Sequence, residues 1–341
     1  MTDDNFARNK DWEAILDRLA KLRGEIAQSG GRDIKLVIQV DTLCHKIDGF
    51  IEKARAAGVV RTFLGLESIN PDNLASAKKR QNKITEYRQM LLAWKQAGVI
   101  TYAGYILGFP HDTPASIAED IAIIQKELPL DILEFFCLTP LPGSEDHQRL
   151  FREGAPMDAD LNRFDIEHAV TSHPRMSRDE WQGIYFKAWD LYYSAEHIER
   201  LLRRAAATGG VSRLASMIFL FSSMVKIERV HPLQGGILRL KYRLDRRPTL
   251  PVESPWLFYP KQVVVTAFKL GQSLRHWLWI DRLRRKILND PDRASYIDTA
   301  ITPVDAHELE ELELFTHSQA AHDAVEHIRK VEKLTHAKSV A

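Results

Sequence analysis

Cysteine is nearly absent from this sequence: Cys44 and Cys137 are its only two in 341 residues. Two thiols so far apart exclude a disulfide framework and suit a reducing cytoplasm, the expected location. No apolar stretch reaches the roughly 20 residues that span a bilayer. The opening Met1–Phe6 is polar and acidic, without the features of a signal peptide. Charge of one sign is also lacking overall, since 47 Lys and Arg meet 46 Asp and Glu. Phosphate-loop and dinucleotide glycine patterns are missing, which weakens nucleotide-hydrolase and dehydrogenase readings. No Gly-x-Ser-x-Gly elbow is present, against a serine hydrolase. The thirteen histidines show no ligand spacing; His317, His322 and His327, five apart, read as a wet helical face, and no metal site is expected.

What is present, in the first half, is one repeating unit. Trp12, Ile15, Leu16, Leu19, Leu22 and Ile26 recur at three- and four-residue steps, as on an amphipathic helix that Gly30-Gly31 stops. Ile34–Val40 then reads as a buried strand. A helix through Ile47, Phe50, Ile51 and Ala54 leads to the strand Val59–Glu67. Another, through Ile84, Tyr87, Leu91 and Trp94, leads to Val99–Phe109. Ala57-Gly58-Val59-Val60 and Ala97-Gly98-Val99-Ile100 are near copies, each a glycine helix end followed at once by a strand. Thr113 and Pro114 read as N-cap and first-turn proline of a helix ahead of the strand Asp131–Leu138. Such alternation predicts parallel strands, either in a doubly wound sheet or in a (β/α) barrel. Both place ligands at the C-terminal ends of the strands, which here are Gln39–Asp41, Gly65–Ser68, Gly104–Pro110 and Leu138–Pro140.

Those ends also carry a family likeness. Phe63-Leu64-Gly65-Leu66-Glu67-Ser68, the basic Lys78-Lys79-Arg80, Ala97-Gly98, and Gly104 to Thr113 follow one another in an order that resembles the second half of the radical S-adenosylmethionine (SAM) core. Members with an upstream cobalamin-binding domain are the most similar. The resemblance covers residues 1–155 and implies a partial (β/α)6 TIM-like barrel. It implies that Gly104, Ile106 and Gly108 match the G-x-I-x-G segment that cradles the SAM adenine. Glu67 and Ser68 match polar residues near the ribose or methionine, and Phe136 to Thr139 match the strand beside the adenine. Asp4, in Asp3-Asp4-Asn5-Phe6, matches the end of the second strand near the methionyl amino group. The implied cofactors are SAM, a [4Fe–4S] cluster and, in the cobalamin type, cobalamin. The implied reaction is reductive SAM cleavage and attack on an unactivated carbon, as in methylation or ring formation on a hydrophobic, lipid-like small molecule.

One departure is plain: the family's C-x₃-C-x₂-C cluster motif is missing. The chain therefore reads as truncated ahead of Met1, without the first strand, its helix and most of the second strand, and is expected to bind no cluster by itself. The alternative is a catalytically inactive remnant that keeps a binding or regulatory role.

Residues 156–341 read as a mostly helical region, with one amphipathic helix over 177–207. Segment 212–288 holds fifteen Lys and Arg against four Asp and Glu. A solvated basic face, peripheral attachment to anionic lipid and nucleic-acid binding compete there, the last without a recognised motif. The lipid reading centres on Leu274–Leu288, with Trp277, Trp279, Ile280 and Leu283 on one helical side. The tail, with Glu308, Glu310, Glu311 and Glu313, could fold back on this basic region.

Overall fold

The computed structural model describes residues 4–77, 82–235, 239–302 and 312–340. Lys78-Lys79-Arg80 and Glu308, Glu310 and Glu311, singled out in the sequence, lie outside the described residues. Four strands, β1 (Leu36–Val40), β2 (Val59–Glu67), β3 (Ile100–Leu107) and β4 (Ile132–Cys137), are hydrogen-bonded in sequence order, every pair parallel. The parallel direction is as expected, and the bounds differ by only a few residues. Helices α1 (Trp12–Gln28), α2 (Phe50–Ala57), α3 (Pro71–Ser76), α4 (Ile84–Gln96) and α5 (Pro114–Glu127) alternate with them.

Helix ends follow the local chemistry. Gly58 sits at φ 101°, where a side chain would meet the Ile34 carbonyl at 2.5 Å, so the turn into β2 needs glycine. Thr113 and Ser116 form a reciprocal cap at the start of α5, with Pro114 in the first turn.

The two faces of the sheet differ. Leu64, Leu66, Ala103, Tyr105, Leu133 and Phe135 are buried beneath helices. The Tyr87 hydroxyl of α4 donates to the Leu66 carbonyl, and the Tyr105 hydroxyl reaches Asp120 of α5 at 2.5 Å. Phe135 packs edge-on against Trp189 of α7 (Arg178–Tyr192). Four parallel strands with helices packed on this face are the α/β array that the alternation predicts. At the β1 edge, Asn5 and Arg8 both bind the Asp41 carboxylate, at 3.1 and 2.6 Å, so the first described residues lie beside the outer strand. At the other edge the Cys137 N–H donates to the Ile166 carbonyl.

After β4 come α6 (Glu145–Arg152), α7, α8 (Ala195–Thr208), α9 (Val211–Ser223), α10 (Pro255–Leu288), α11 (Glu313–Thr316) and α12 (Gln319–Val340). The expected single helix over 177–207 is two. Tyr192 and Tyr193 send their hydroxyls to the carbonyls of Leu130 and Leu133, and Ser194 then caps a new helix. Satisfying two buried phenols under β4 breaks the helical run. Trp181, Tyr185 and Trp189 belong to the same apolar core as the strands, so packing is continuous across residue 155. In the tail, Glu313 pairs with Lys126 of α5 at 2.5 Å, and its backbone N–H reaches Glu127; this part of the tail docks on α5 and not on the basic segment.

Candidate functional site

On the other face, β2, β3 and β4 present Phe63, Gly65, Tyr102, Gly104, Ile106 and Phe136, the last packed on His231 at 4.9 Å. Toward the C-terminal ends this face opens into two adjoining hollows of about 240 and 340 Å³. Glu67, Ile106, Leu138 and Thr139 line both, while Gly104 lines the first. Three strands thus bring together four of the seven residues singled out as cofactor contacts. A larger hollow, about 780 Å³, lies among residues of α2, the end of α4 and the segment 45–49, in the outer helix layer.

Glu67 owes its position to an irregularity. Leu64 pairs with Ala103 but Glu67 with Tyr105, so β2 carries one residue more than β3 across this interval. The bulge leaves Glu67 at φ 65°, one of only two non-glycine residues with positive φ among those described. Its carboxylate lies over Gly65, where an added methyl would stand 3.1 Å from Oε1. A side chain in left-handed backbone at a strand end is strained by roughly 1–3 kcal/mol and persists only where its surroundings hold it. Opposite it, the Thr139 hydroxyl donates to the Cys137 carbonyl at 3.1 Å, which turns that threonine into the mouth.

Gly104 makes room for rings. A methyl there would stand 2.9 Å from Phe136 and 3.2 Å from Phe63, so the glycine lets both aromatics close on the sheet. Together with Ile106 they line the apolar side of the first hollow.

The remaining expected residues stand elsewhere. Ser68 is fully buried and turned away, its hydroxyl accepting from the Asn70 N–H at 3.0 Å as a turn cap. Asp4 is exposed before the 3₁₀ turn Phe6–Arg8 and lines neither hollow. Gly108, at φ 106°, approaches protein: a methyl would stand 2.0 Å from the Trp181 indole, whose Nε1 donates to the Leu107 carbonyl. Strand-period reasoning could not see Trp181, because it comes from α7.

The sequence reading also passed over Asp112 and Glu134. Asp112, buried, accepts from the N–H groups of Gly108 and Phe109 at 2.8 and 2.9 Å and from Asn73 at 2.6 Å, and so shapes the loop after β3. Burial raises its carboxyl above the usual range. Glu134 faces Gly104 across the β3–β4 pairing, on the same side of β4 as Phe136. Its residue is 1% exposed and Oε1 has no hydrogen-bond partner, so desolvation lifts its pKa to about 7. A carboxylate inside an apolar run is the signal that could have found it.

The cluster implied by the resemblance does not fit these residues. Cys44 and Cys137 are both buried, and desolvation pushes Cys44 up to about 12 and Cys137 also far above the ordinary thiol range. Neutral buried thiols on separate elements are poor iron ligands. Among the described residues, no three His, Cys, Asp or Glu side chains stand close enough to hold a metal ion.

No protein-family model matches the sequence. Over 165 residues it is 26% identical to a hopanoid C-2 methylase of Rhodopseudomonas palustris, a match covering 48% of this chain and 31% of the methylase. The chain thus spans about a third of that relative's length. Among solved structures it is similar to the radical SAM methyltransferase TsrM of Kitasatospora setae with cobalamin and a [4Fe–4S] cluster bound, at 15% identity over 58% of this chain and 43% of that one, with a TM-score of 0.41. It is also similar to the cobalamin-dependent SAM radical enzyme OxsB, at 12% identity over 93% and 50% of the two chains, TM-score 0.35. For HemN of Escherichia coli the values are 19%, 55%, 38% and 0.36. The ordered motifs along β2, β3 and β4, on a parallel βα array and with the likeness to the methylase's sequence alongside, are similar to those of the radical SAM superfamily.

Proposed function

We propose that the strand-end groove binds SAM, and that this chain is the SAM-holding later half of an enzyme that modifies an unactivated carbon of a hydrophobic small molecule, with methylation the favoured outcome. The observation that carries the reading is the convergence of the strained Glu67, Ile106 and Thr139 on one groove from three strand ends. In this assignment Phe63, Ile106 and Phe136 take the adenine, while Glu67 and Thr139 face the ribose or methionine. When bound beside a [4Fe–4S] cluster, SAM supplies a carbon radical. This chain's own residues bind and orient SAM and keep water from it. The three thiolates would come from protein outside these residues, and a cytoplasmic location is part of the same proposal. Equilibrium dialysis with SAM tests the groove. Saturable binding that Ile106→Asp abolishes is expected; binding of equal strength in the folded variant removes the assignment.

A second reading, a binding or regulatory protein without catalysis, is favoured by one observation: both thiols are buried and neutral. SAM binding with no turnover, even when a cluster-bearing segment is supplied, is its signature.

A further inference from the structure

Helix α10 is turned inside out. It runs for 34 residues, about 50 Å at the helical rise. At about 100° per residue, Trp256, Val263, Val264, Leu270, Leu274 and Leu278 fall on one side. That side faces outward: Trp256 is 88% exposed and Val263 68%. Gln262, Thr266, Lys269 and Ser273 occupy the opposite side and are half-buried against the protein. Lys269 is held there by the buried Glu228 at 2.5 Å, and His276 by Ser222 at 2.7 Å. These polar contacts fix the helix's rotation, so the apolar side cannot roll inward.

The lipid contact expected at Leu274–Leu288 is corrected by the same geometry. Ile280 is fully buried, Trp279 and Leu283 pack on the core, and Trp277 meets Phe219 of α9 at 5.2 Å. The tryptophans of that segment are packing residues, and the free apolar face lies nearer the start of the helix.

We infer that the outward side of α10 over Trp256–Leu278 lies flat on an anionic lipid surface. Charge chooses this occupant. The segment 212–288 carries eleven more basic than acidic residues, fifteen against four. Exposed Arg275, Arg282 and Lys286 continue the apolar side toward the helix end. The loop before α10 adds exposed Lys241, Tyr242 and Leu244, anchored beside the helix start where Arg243 donates to the Glu253 carbonyl. An apolar strip edged by aromatic and basic residues matches the boundary between acyl chains and anionic headgroups. The helix lies on the surface, since no helix among the described residues is long and apolar enough to cross a membrane.

Flotation of the full chain with vesicles of phosphatidylcholine, alone or mixed with phosphatidylglycerol, tests this. Binding is expected only to the mixed vesicles, and it should weaken at least about tenfold between low and high salt, as screening dictates. Val263→Ser/Leu270→Ser/Leu274→Ser should abolish it. Arg275→Glu/Arg282→Glu should cut it at least about tenfold. If the triple variant does not fold, Trp256→Ser carries the same arm. No flotation, equal flotation on neutral vesicles, or unchanged binding by the apolar variants overturns the proposal. So does a dimer in sedimentation that the apolar substitutions dissolve, which would assign the face to a second copy. None of these readouts involves SAM.

Discussion

Glu67 combines strained backbone with a place at the groove mouth, and the two can be separated. Glu67→Gly relieves the positive φ and should hold or raise stability, by up to about 1 kcal/mol, while SAM affinity falls at least about tenfold. Thermal melts and dialysis on the same preparation check both halves; a loss of stability with affinity intact would show the side chain to be structural. At Gly108 the contrary holds, since its neighbour is the Trp181 indole. Gly108→Ala should cost about 3 kcal/mol, from strained φ and overpacking together. Gly143→Ala, at φ 91° with open space around it, should cost only about 1 kcal/mol. Denaturant midpoints of the pair isolate the indole's share. Glu134 supplies the pH dependence. Its folded pKa, about 7, exceeds the unfolded value, so from about pH 4.5 to 7 the folded state holds the proton that the unfolded state has lost. Stability therefore falls as pH rises through that window, by about 3 kcal/mol from this group. Buried Asp120, also raised to about 7, adds a loss of the same sign. Glu134→Gln should flatten the slope by about half, which urea titrations at several pH values would show.

Among the elements, the break between α7 and α8 is held by one cap and two buried phenols. Ser194→Ala should cost about 1 kcal/mol, the usual worth of an N-cap serine, without moving SAM affinity. Tyr193→Phe should cost a similar amount through the unpaired Leu133 carbonyl. An unchanged melting temperature in both would mean that the break is set by the tryptophans packed around it. The alternation of β1 to β4 with helices was legible in the sequence, because apolar spacing at two or three-to-four residues reports local structure directly. The helix break was not legible, since 177–207 keeps helical periodicity throughout and only the carbonyls of Leu130 and Leu133, about sixty residues earlier, take the tyrosine hydroxyls.

For the whole molecule, the sheet is four parallel strands with helices packed on one face, an outer edge at β1 beside Asn5 and Arg8, and the strand-end groove on the other face. Anaerobic reconstitution of this chain with iron and sulfide should yield no stoichiometric cluster, because its thiols are two, buried and far from ionising. Iron and sulfide analysis together with the visible spectrum decides it, and one cluster per chain contradicts both the fit and the assignment of thiolates to other protein. SAM binding should survive the cluster's absence, though weaker than in an assembled enzyme.

The alternation of strands with helices, the glycine helix ends and the Thr113 cap were determined by the sequence itself, since each depends on residues within a few positions of one another. So was the likeness in Gly65–Ser68 and Gly104–Pro110 that pointed to SAM. Only the tertiary structure decided which of those residues share a groove. It kept Glu67, Gly104, Ile106 and Thr139 together, turned Ser68 beneath the helices, left Asp4 exposed and set Trp181 against Gly108. It alone showed that α10 turns its apolar side outward, because Lys269 and His276 find their partners on other elements. The physical reason is range: periodicity and capping act within a turn of chain, whereas the facing of a strand end or helix is fixed by contacts between segments that the sequence does not place side by side.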